Sequence, residues 1–439
     1  MKHTHLFGLG LSKSLSLLAA SLLAAPLFAF AAPDASVMST VQKEKAPYLE
    51  TLKSLVSIES GSGDREGLDK LSELIAGKLK DLGGKVEFIE PGADTYRMFD
   101  TPAKPGRMVH AQFVGTGTKK ILLIAHMDTV YLRGMLAQQP FRVDGNRAYG
   151  LGISDDKQGI AMILHTLSVL KANNFKDYGL VTVLINGDEE ISSPASRTML
   201  TKLGAEHDVT FSCEASLAAS DRISLVTAGI GAVTLSVTGK ASHAGGAPEL
   251  GRNALYELSH QILQMRDLSD PATGVKFNWT ISQAGTNRNV IPAKATAAAD
   301  VRVLRVPDFD AIEPKVAERI KNKLIPDTTV EFNFERRRPP LQSSPAALAV
   351  AEYAKQLYQD DLGLQLSFST QAEGGGTDAA FAALKTQNAV LERFGARGFG
   401  AHSNDAEYIL IDSIEPRMYL LAKLIMDLSQ NKDKQGLRK

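Results

Sequence analysis

A histidine and an aspartate two residues apart, His126 and Asp128, close the apolar run Ile121-Leu122-Leu123-Ile124-Ala125. Alternate residues of a strand point the same way, so both side chains belong at one spot at the end of a buried strand. The carboxyl end of a strand is where α/β proteins usually build their sites. Four further clusters follow. Asp155-Asp156-Lys157 lies in a glycine-rich stretch that opens a helix, and Asp188-Glu189-Glu190 follows the apolar run Leu180 to Asn186. Glu214 comes after the alternating Val209, Phe211 and Cys213, and His402-Ser403 stands near the C-terminus. His126, Glu190 and Glu214 each fall at or just past an expected strand, at one edge of one sheet. Carboxylates gathered there repel unless cations neutralise them. Two histidines and three carboxylates suit a pair of borderline divalent ions such as Zn²⁺, with Asp155 bridging.

Each cluster taken alone has a plainer explanation. Asp155-Asp156 could cap the following helix, Glu189-Glu190 could be a solvated helix start favoured by the dipole, and His126 could be a satisfied core histidine. Cys213 alternates with Val209 and Phe211 and reads as a buried free thiol rather than a nucleophile. As the sole cysteine it forms no intrachain disulfide. The joint pattern outweighs the separate explanations.

The elements that must position these groups follow from apolar spacing. Helices are expected over 47–57, 68–82 and 159–172, and strands over 86–89, 108–114, 121–125 and 180–186. That alternation predicts a largely parallel sheet with helices on both faces. The texture changes near Gly229. A strand at 232–238, a helix at 253–265, strands at 277–283 and 295–304, a helix at 309–322 and a strand at 329–335 give the ferredoxin-like order. Pro339-Pro340 breaks this pattern, and helices return at 345–360 and 415–431. The fold class is therefore α/β: a mostly parallel catalytic sheet with an inserted ferredoxin-like α+β domain. The expected division is 32–228 and 338–439 for the catalytic domain and 229–337 for the insert.

The chain has 439 residues, 44% of them hydrophobic, enough for two domains with sizeable cores. Lys+Arg and Asp+Glu are both 49. That balance argues against a nucleic-acid or anionic-membrane partner. Lys2 and Lys13 precede an apolar stretch ending in Ala29-Phe30-Ala31, the form of a cleavable signal peptide over 1–31. A membrane anchor is the alternative, but the run is short and holds Pro26. The expectation is a periplasmic or secreted protein, with no membrane attachment after cleavage.

The motifs, in order, resemble the co-catalytic zinc amidohydrolase family that includes aminoacylases, desuccinylases and glutamate carboxypeptidases, and most nearly its glutamate carboxypeptidase branch. They are His126-Met127-Asp128-Thr129-Val130, Asp155-Asp156-Lys157, Asp188-Glu189-Glu190, Ala241-Ser242-His243-Ala244-Gly245, Asn289-Val290-Ile291-Pro292-Ala293, Gly374-Gly375-Gly376-Thr377-Asp378 and His402-Ser403. The resemblance runs from about Ala46 to the last helix. It implies two Zn²⁺ per subunit, one held by His126, Glu214 and bridging Asp155, the other by Glu190, His402 and the same Asp155. It makes Glu189 the general base and Asp128 the carboxylate that orients His126. It implies that His243 reaches the active site of a partner subunit in a homodimer. Asn289 and Gly375 would bind substrate, and Arg338 would receive a C-terminal carboxylate, with Arg302, Arg336 and Arg337 as nearby competitors. Glu373, before the triple glycine, and Arg393 to Arg397 depart from the pattern and bear on which substrate is taken.

The expected function is that of an exported zinc carboxypeptidase. It would use metal-activated water to release a C-terminal amino acid, glutamate foremost, from small N-acyl, peptidyl or folate-type substrates. The alternatives are an aminoacylase or dipeptidase on the same scaffold, and a non-catalytic binding relative.

Overall fold

The computed structural model describes residues 33–433 apart from Glu373 and Asn404. The signal segment and the Glu373 departure lie outside the described residues.

A six-stranded sheet carries the site. Its order is Lys85–Ile89, Met108–Val114, Leu180–Asn186, Lys120–His126, Val209–Ser212 and Ala389–Leu391. The last four run parallel, and Met108–Val114 is antiparallel to its neighbours. Lys120–His126 is buried on both faces after its first residue, which is why its sequence is a continuous apolar run rather than an alternation. On one face pack helices Ala35–Val56, Arg65–Asp81, Gln158–Ala172, Pro345–Leu362 and Ile414–Ser429. On the other lie Arg197–Glu206 and Ala379–Ala383.

The first helix begins twelve residues before the expected position, at Ala35, because Pro47 does not end it. Buried Val37, Val41, Tyr48, Leu52 and Leu55 keep one apolar stripe running through the proline. Packing of that stripe outweighs the ~3 kcal/mol that an interior proline costs. Asp34 caps the helix start, accepting from the Ser36 and Val37 amides at 3.2 and 3.3 Å. The helix Arg197–Glu206 carries no strong apolar period, and spacing does not predict it.

The second sheet has the order Lys276–Ala284, Lys294–Val303, Gly229–Thr238 and Thr329–Arg338, all antiparallel, with helices Ala254–Gln264 and Val306–Arg319. Gly229–Thr238 alternates buried and half-buried residues, as a sheet covered on one face requires. Its own core holds Val233, Leu235, Val301 and Phe309. The element order is the ferredoxin-like one expected. The last strand runs three residues past the expected end and so includes Arg338.

A third, small mixed sheet lies outside the expected elements: Arg142–Asp144, Arg147–Tyr149, Tyr408–Leu410, Arg397–Phe399 and Ser216–Leu217. Its strands are two or three residues long, too short to show a period. No described helix is long and apolar enough to cross a membrane.

Leu123 is fully buried between Val183 and Phe211 in the central strand. Leu123→Ala should lower unfolding stability by about 2–5 kcal/mol through the cavity it leaves. Val114→Ala, on a side chain 78% exposed in the same sheet, should change it by no more than about 0.5 kcal/mol. Urea unfolding of both variants checks this; equal shifts would contradict the layering.

Candidate active site

The strands deliver the functional groups to one edge. Lys120–His126 ends on His126, which is 1% exposed. The strand stops there, so Asp128 reaches its place from the following turn rather than from a continued strand. That turn is tied across the sheet by the Met127 amide donating to Asn186 O at 2.8 Å. Asp128 is fully buried and its carboxylate is saturated. Oδ1 accepts the Glu189 amide at 2.9 Å, and Oδ2 accepts the Glu190 amide at 3.0 Å and the Ser62 hydroxyl at 2.8 Å. The same Oδ1 lies 3.4 Å from His126 Nδ1, with the Asp128 carbonyl at 3.1 Å. One carboxylate therefore holds an imidazole ring and the backbone of two acids. An anion at the N–H groups opening the Glu189–Ile191 turn is the arrangement of a helix-start cap.

Asp155 stands between the two histidines. Its Oδ1 is 2.9 Å from His126 Nε2 and its Oδ2 is 3.2 Å from His402 Nε2. His402 Nε2 is also 3.0 Å from Glu190 Oε2. The plainer reading of Asp155-Asp156 as a helix cap does not hold, because the helix Gln158–Ala172 has no side-chain cap. Asp156 is instead fully buried and accepts Gln158 Nε2 at 2.8 Å. Nor are Glu189 and Glu190 a solvated helix start: their side chains are 9% and 5% exposed. Cys213 is buried, as its alternation implies.

His402 is brought in by the small sheet. It sits in the hairpin between Arg397–Phe399 and Tyr408–Leu410, in the left-handed region at φ 63°. Gly400 permits that hairpin: at φ 82° a Cβ there would lie 2.5 Å from the Ala406 carbonyl.

The electrostatics follow from this crowding. Burial drives Glu189 and Glu214 well above the usual carboxylate range, with neighbouring acids adding to it. Burial and the Asp155 charge push Glu190 up to about 7. For Asp155, burial acts upward, but the His126 and His402 hydrogen bonds overcome it and hold the carboxyl below the usual range. His402 is raised to about 10 by Asp155 and Glu190.

These donors fit a divalent ion. Asp155, Glu190 and His402 each offer a ligand atom, all within 4.8 Å of one another. Two ligands of a tetrahedral ion with bonds of about 2.0 Å stand about 3.3 Å apart. The His126–Asp155, His402–Asp155 and His402–Glu190 separations of 2.9, 3.2 and 3.0 Å are of that size. Glu214 lines the same cavity, of about 410 Å³, with Glu189, Arg338 and Gly375.

Arg338 is 3% exposed; its Nη1 meets Glu189 Oε1 at 2.5 Å and its Nη2 donates to the Glu189 carbonyl at 2.6 Å. Its competitors are engaged elsewhere: Arg302 with Asp300, Arg336 with Asp310 and Glu313, and Arg337 with Glu335 and Asp100. Gly376 lets the loop close on Arg338, since a Cβ would lie 2.6 Å from its Cδ. His243 and Asn289 sit together on the inserted domain, where the Ala244 amide donates to Asn289 O at 2.9 Å. Both are exposed, and neither is among the described residues lining the cavity.

Sequence reasoning missed Glu407. Its carboxylate accepts the amides of Gly152, Ser154 and Asp155 at 2.9, 2.7 and 3.1 Å and the Tyr131 hydroxyl at 2.5 Å. It shapes the loop that presents Asp155. The one available signal is an acid five residues after His402, which alone means little. Asp378 stands out in the sequence only as part of a motif. It binds the Asn186 amide group at 2.8 Å, the Ser193 hydroxyl at 2.5 Å and Arg338 at 3.5 Å.

Comparison with known proteins gives the family and the fold. The family model described as Peptidase family M20/M25/M40 matches residues 122–427. Carboxypeptidase G2 of Pseudomonas sp. (strain RS-16) is 42% identical over 402 residues, 91% of this chain and 93% of that protein. An M20 family metallo-carboxypeptidase from Sulfolobus solfataricus has the same fold, with a TM-score of 0.69 at 17% identity over 86% of this chain and 98% of that one. So does a di-peptidase from Saccharomyces cerevisiae, with a TM-score of 0.69 at 15% identity over 90% and 98%. The match extends from the central strand to the last helix and takes in the whole donor cluster, so this chain belongs to Peptidase family M20/M25/M40.

Proposed function

We propose that this protein is an exported carboxypeptidase with two zinc ions per chain. It cleaves the amide bond to a C-terminal amino acid, glutamate foremost, in N-acyl, peptidyl or folate-type substrates. The observation that carries the reading is Asp155 standing between His126 and His402 in a cavity that also holds Glu189, Glu190, Glu214 and Arg338. The 42% identity to Carboxypeptidase G2 supports removal of a C-terminal residue. Glutamate rests on the sequence motifs, and export on the first 31 residues.

His126, Asp155 and Glu214 would hold one ion, and Asp155, Glu190 and His402 the other. Ions so held would polarise the scissile carbonyl and acidify the attacking water. Glu189 takes the water's proton and returns it to the departing nitrogen. Asp128 fixes Glu189 through its amide and His126 through its ring. Arg338 binds the substrate's terminal carboxylate; its guanidinium already positions Glu189, and its Nε is a buried donor without a partner among the described residues. Gly375 allows the substrate backbone close approach.

The inserted domain, taken as 229–337, is read as the dimer-forming part. Lys276–Ala284 is a sheet edge exposed along most of its length, and Leu255, Tyr256 and Leu263 are exposed on the adjacent helix. Such a face calls for a partner. In the dimer His243 and Asn289 would serve the opposite cavity.

A panel of folate-type, N-acyl-glutamate and dipeptide substrates tests the substrate class. The expected order places glutamyl amides first; faster cleavage of dipeptides would replace this reading with the dipeptidase one.

Elemental analysis of zinc-loaded, desalted protein should give about two ions per chain; a value near one would overturn the paired assignment. Glu189→Ala should keep its metal and lose about 10²–10⁴-fold or more in kcat. Loss of metal together with activity would exchange the roles of Glu189 and Glu190.

His243→Ala should lower kcat by about a hundredfold or more with metal content unchanged, since its imidazole would stabilise an oxyanion absent from the ground state. Mixing it with Glu189→Ala should restore activity, because one site of each hybrid dimer has both groups. Demonstrated subunit exchange without recovery would place His243 outside the opposite site.

A further inference from the structure

A second groove, of about 550 Å³, opens at the seam between the two sheets' domains, lined among others by Arg336 and Pro339, close to Arg338 in sequence. Its size is that of a small-molecule site. One wall is the helix Arg197–Glu206, and the other is the start of Val306–Arg319 with Arg336 and Pro339. Phe309 and Phe381, both largely buried, make an aromatic floor.

The charge in this groove is unbalanced. Lys202 is paired with Glu206 at 3.1 Å, and Arg336 with Asp310 and Glu313 at 2.6 and 2.9 Å. Lys385 stands exposed at the rim. Arg197 lies deeper, its guanidinium 4.2 Å over the Tyr96 ring and 4.9 Å over Phe381. Among the described residues its oxygen acceptors are all main-chain carbonyls, those of Ser192, Ser193, Arg336 and Arg337, and none is a carboxylate. Burial accordingly pulls Arg197 down to about 10. A cation solvated by carbonyls, the Met98 sulfur and ring faces, beside an aromatic floor, is complementary to an anion that carries an apolar body.

We propose that this groove is a second, non-catalytic site for a small aryl carboxylate, with its ring on Phe309 and Phe381 and its charge toward Arg197 and Lys385. Arg197 also links this site to the catalytic one. It holds the Ser192 and Ser193 carbonyls, just after Glu189 and Glu190, and the Arg336 and Arg337 carbonyls, just before Arg338. An anion drawing on Arg197 competes with those four bonds and so shifts the base and its arginine together.

The test uses metal-loaded protein and 4-phenylbutyrate, with 4-phenyl-1-butanol as the uncharged control, followed by calorimetry. Saturable binding is expected, about tenfold or more tighter for the acid than for the alcohol. Ala205→Trp places a ring in the groove from an exposed helix position, and Lys385→Glu reverses a rim charge without touching the core. Both should weaken binding about tenfold or more while leaving the kcat/KM of ligand-free enzyme unchanged. In the wild type the acid should change kcat/KM by about twofold or more, and in Ala205→Trp this groove-dependent part should vanish. Binding that persists undiminished in both variants lies elsewhere, in the catalytic cavity for instance, and overturns the proposal, as does absence of binding. Groove-dependent binding that leaves kcat/KM unmoved overturns the link through Arg197. The binding measurement needs no substrate, so it stands apart from the proposed peptidase specificity.

Discussion

The buried carboxylate of Asp128 is the interaction on which the site's geometry rests. It joins three chain segments that are remote in sequence: the Ser62 loop, the end of the central strand, and the Glu189–Glu190 turn. Burying a carboxylate costs least when both its oxygens are occupied, and here each has a donor. The same saturation leaves the Glu189 and Glu190 side chains free to face the cavity, because their backbone is already fixed. Removing Asp128 would therefore disturb a ring and two acids at once.

Around that anchor the fold concentrates like charge. Parallel strands share one carboxyl edge, so acids that follow them in sequence must meet there. Asp155, Glu189, Glu190 and Glu214 line one cavity, and burial raises three of them. Arg338 offsets part of this through Glu189, and the two histidines offset part through Asp155. The arrangement is one that gains from divalent cations, and this is the physical content of the proposed metal pair.

Much of this was legible in the sequence because the signals were local. Continuous apolar runs marked the parallel strands, and the acids directly after them marked the site. The ferredoxin-like order showed because each of its strands spans nine or ten residues and its helices are amphipathic. What was not legible depended on distant partners. Glu407 matters through three amides some 250 residues away in sequence, and nothing near it signals this. The small mixed sheet is built from strands of two or three residues, which carry no period. Pro47 misled because a local rule was overridden by packing along the whole first helix.

That small sheet has a further consequence. Its strands come from near residues 145, 216, 398 and 409, and its last hairpin delivers His402. The donor cluster is therefore a product of long-range closure. The second imidazole is in place only when the hairpin near the end of the chain has docked. A chain shortened before that hairpin would lack His402 and also the buried helix Ile414–Ser429, so the donor cluster and the main core are completed by the same C-terminal segment.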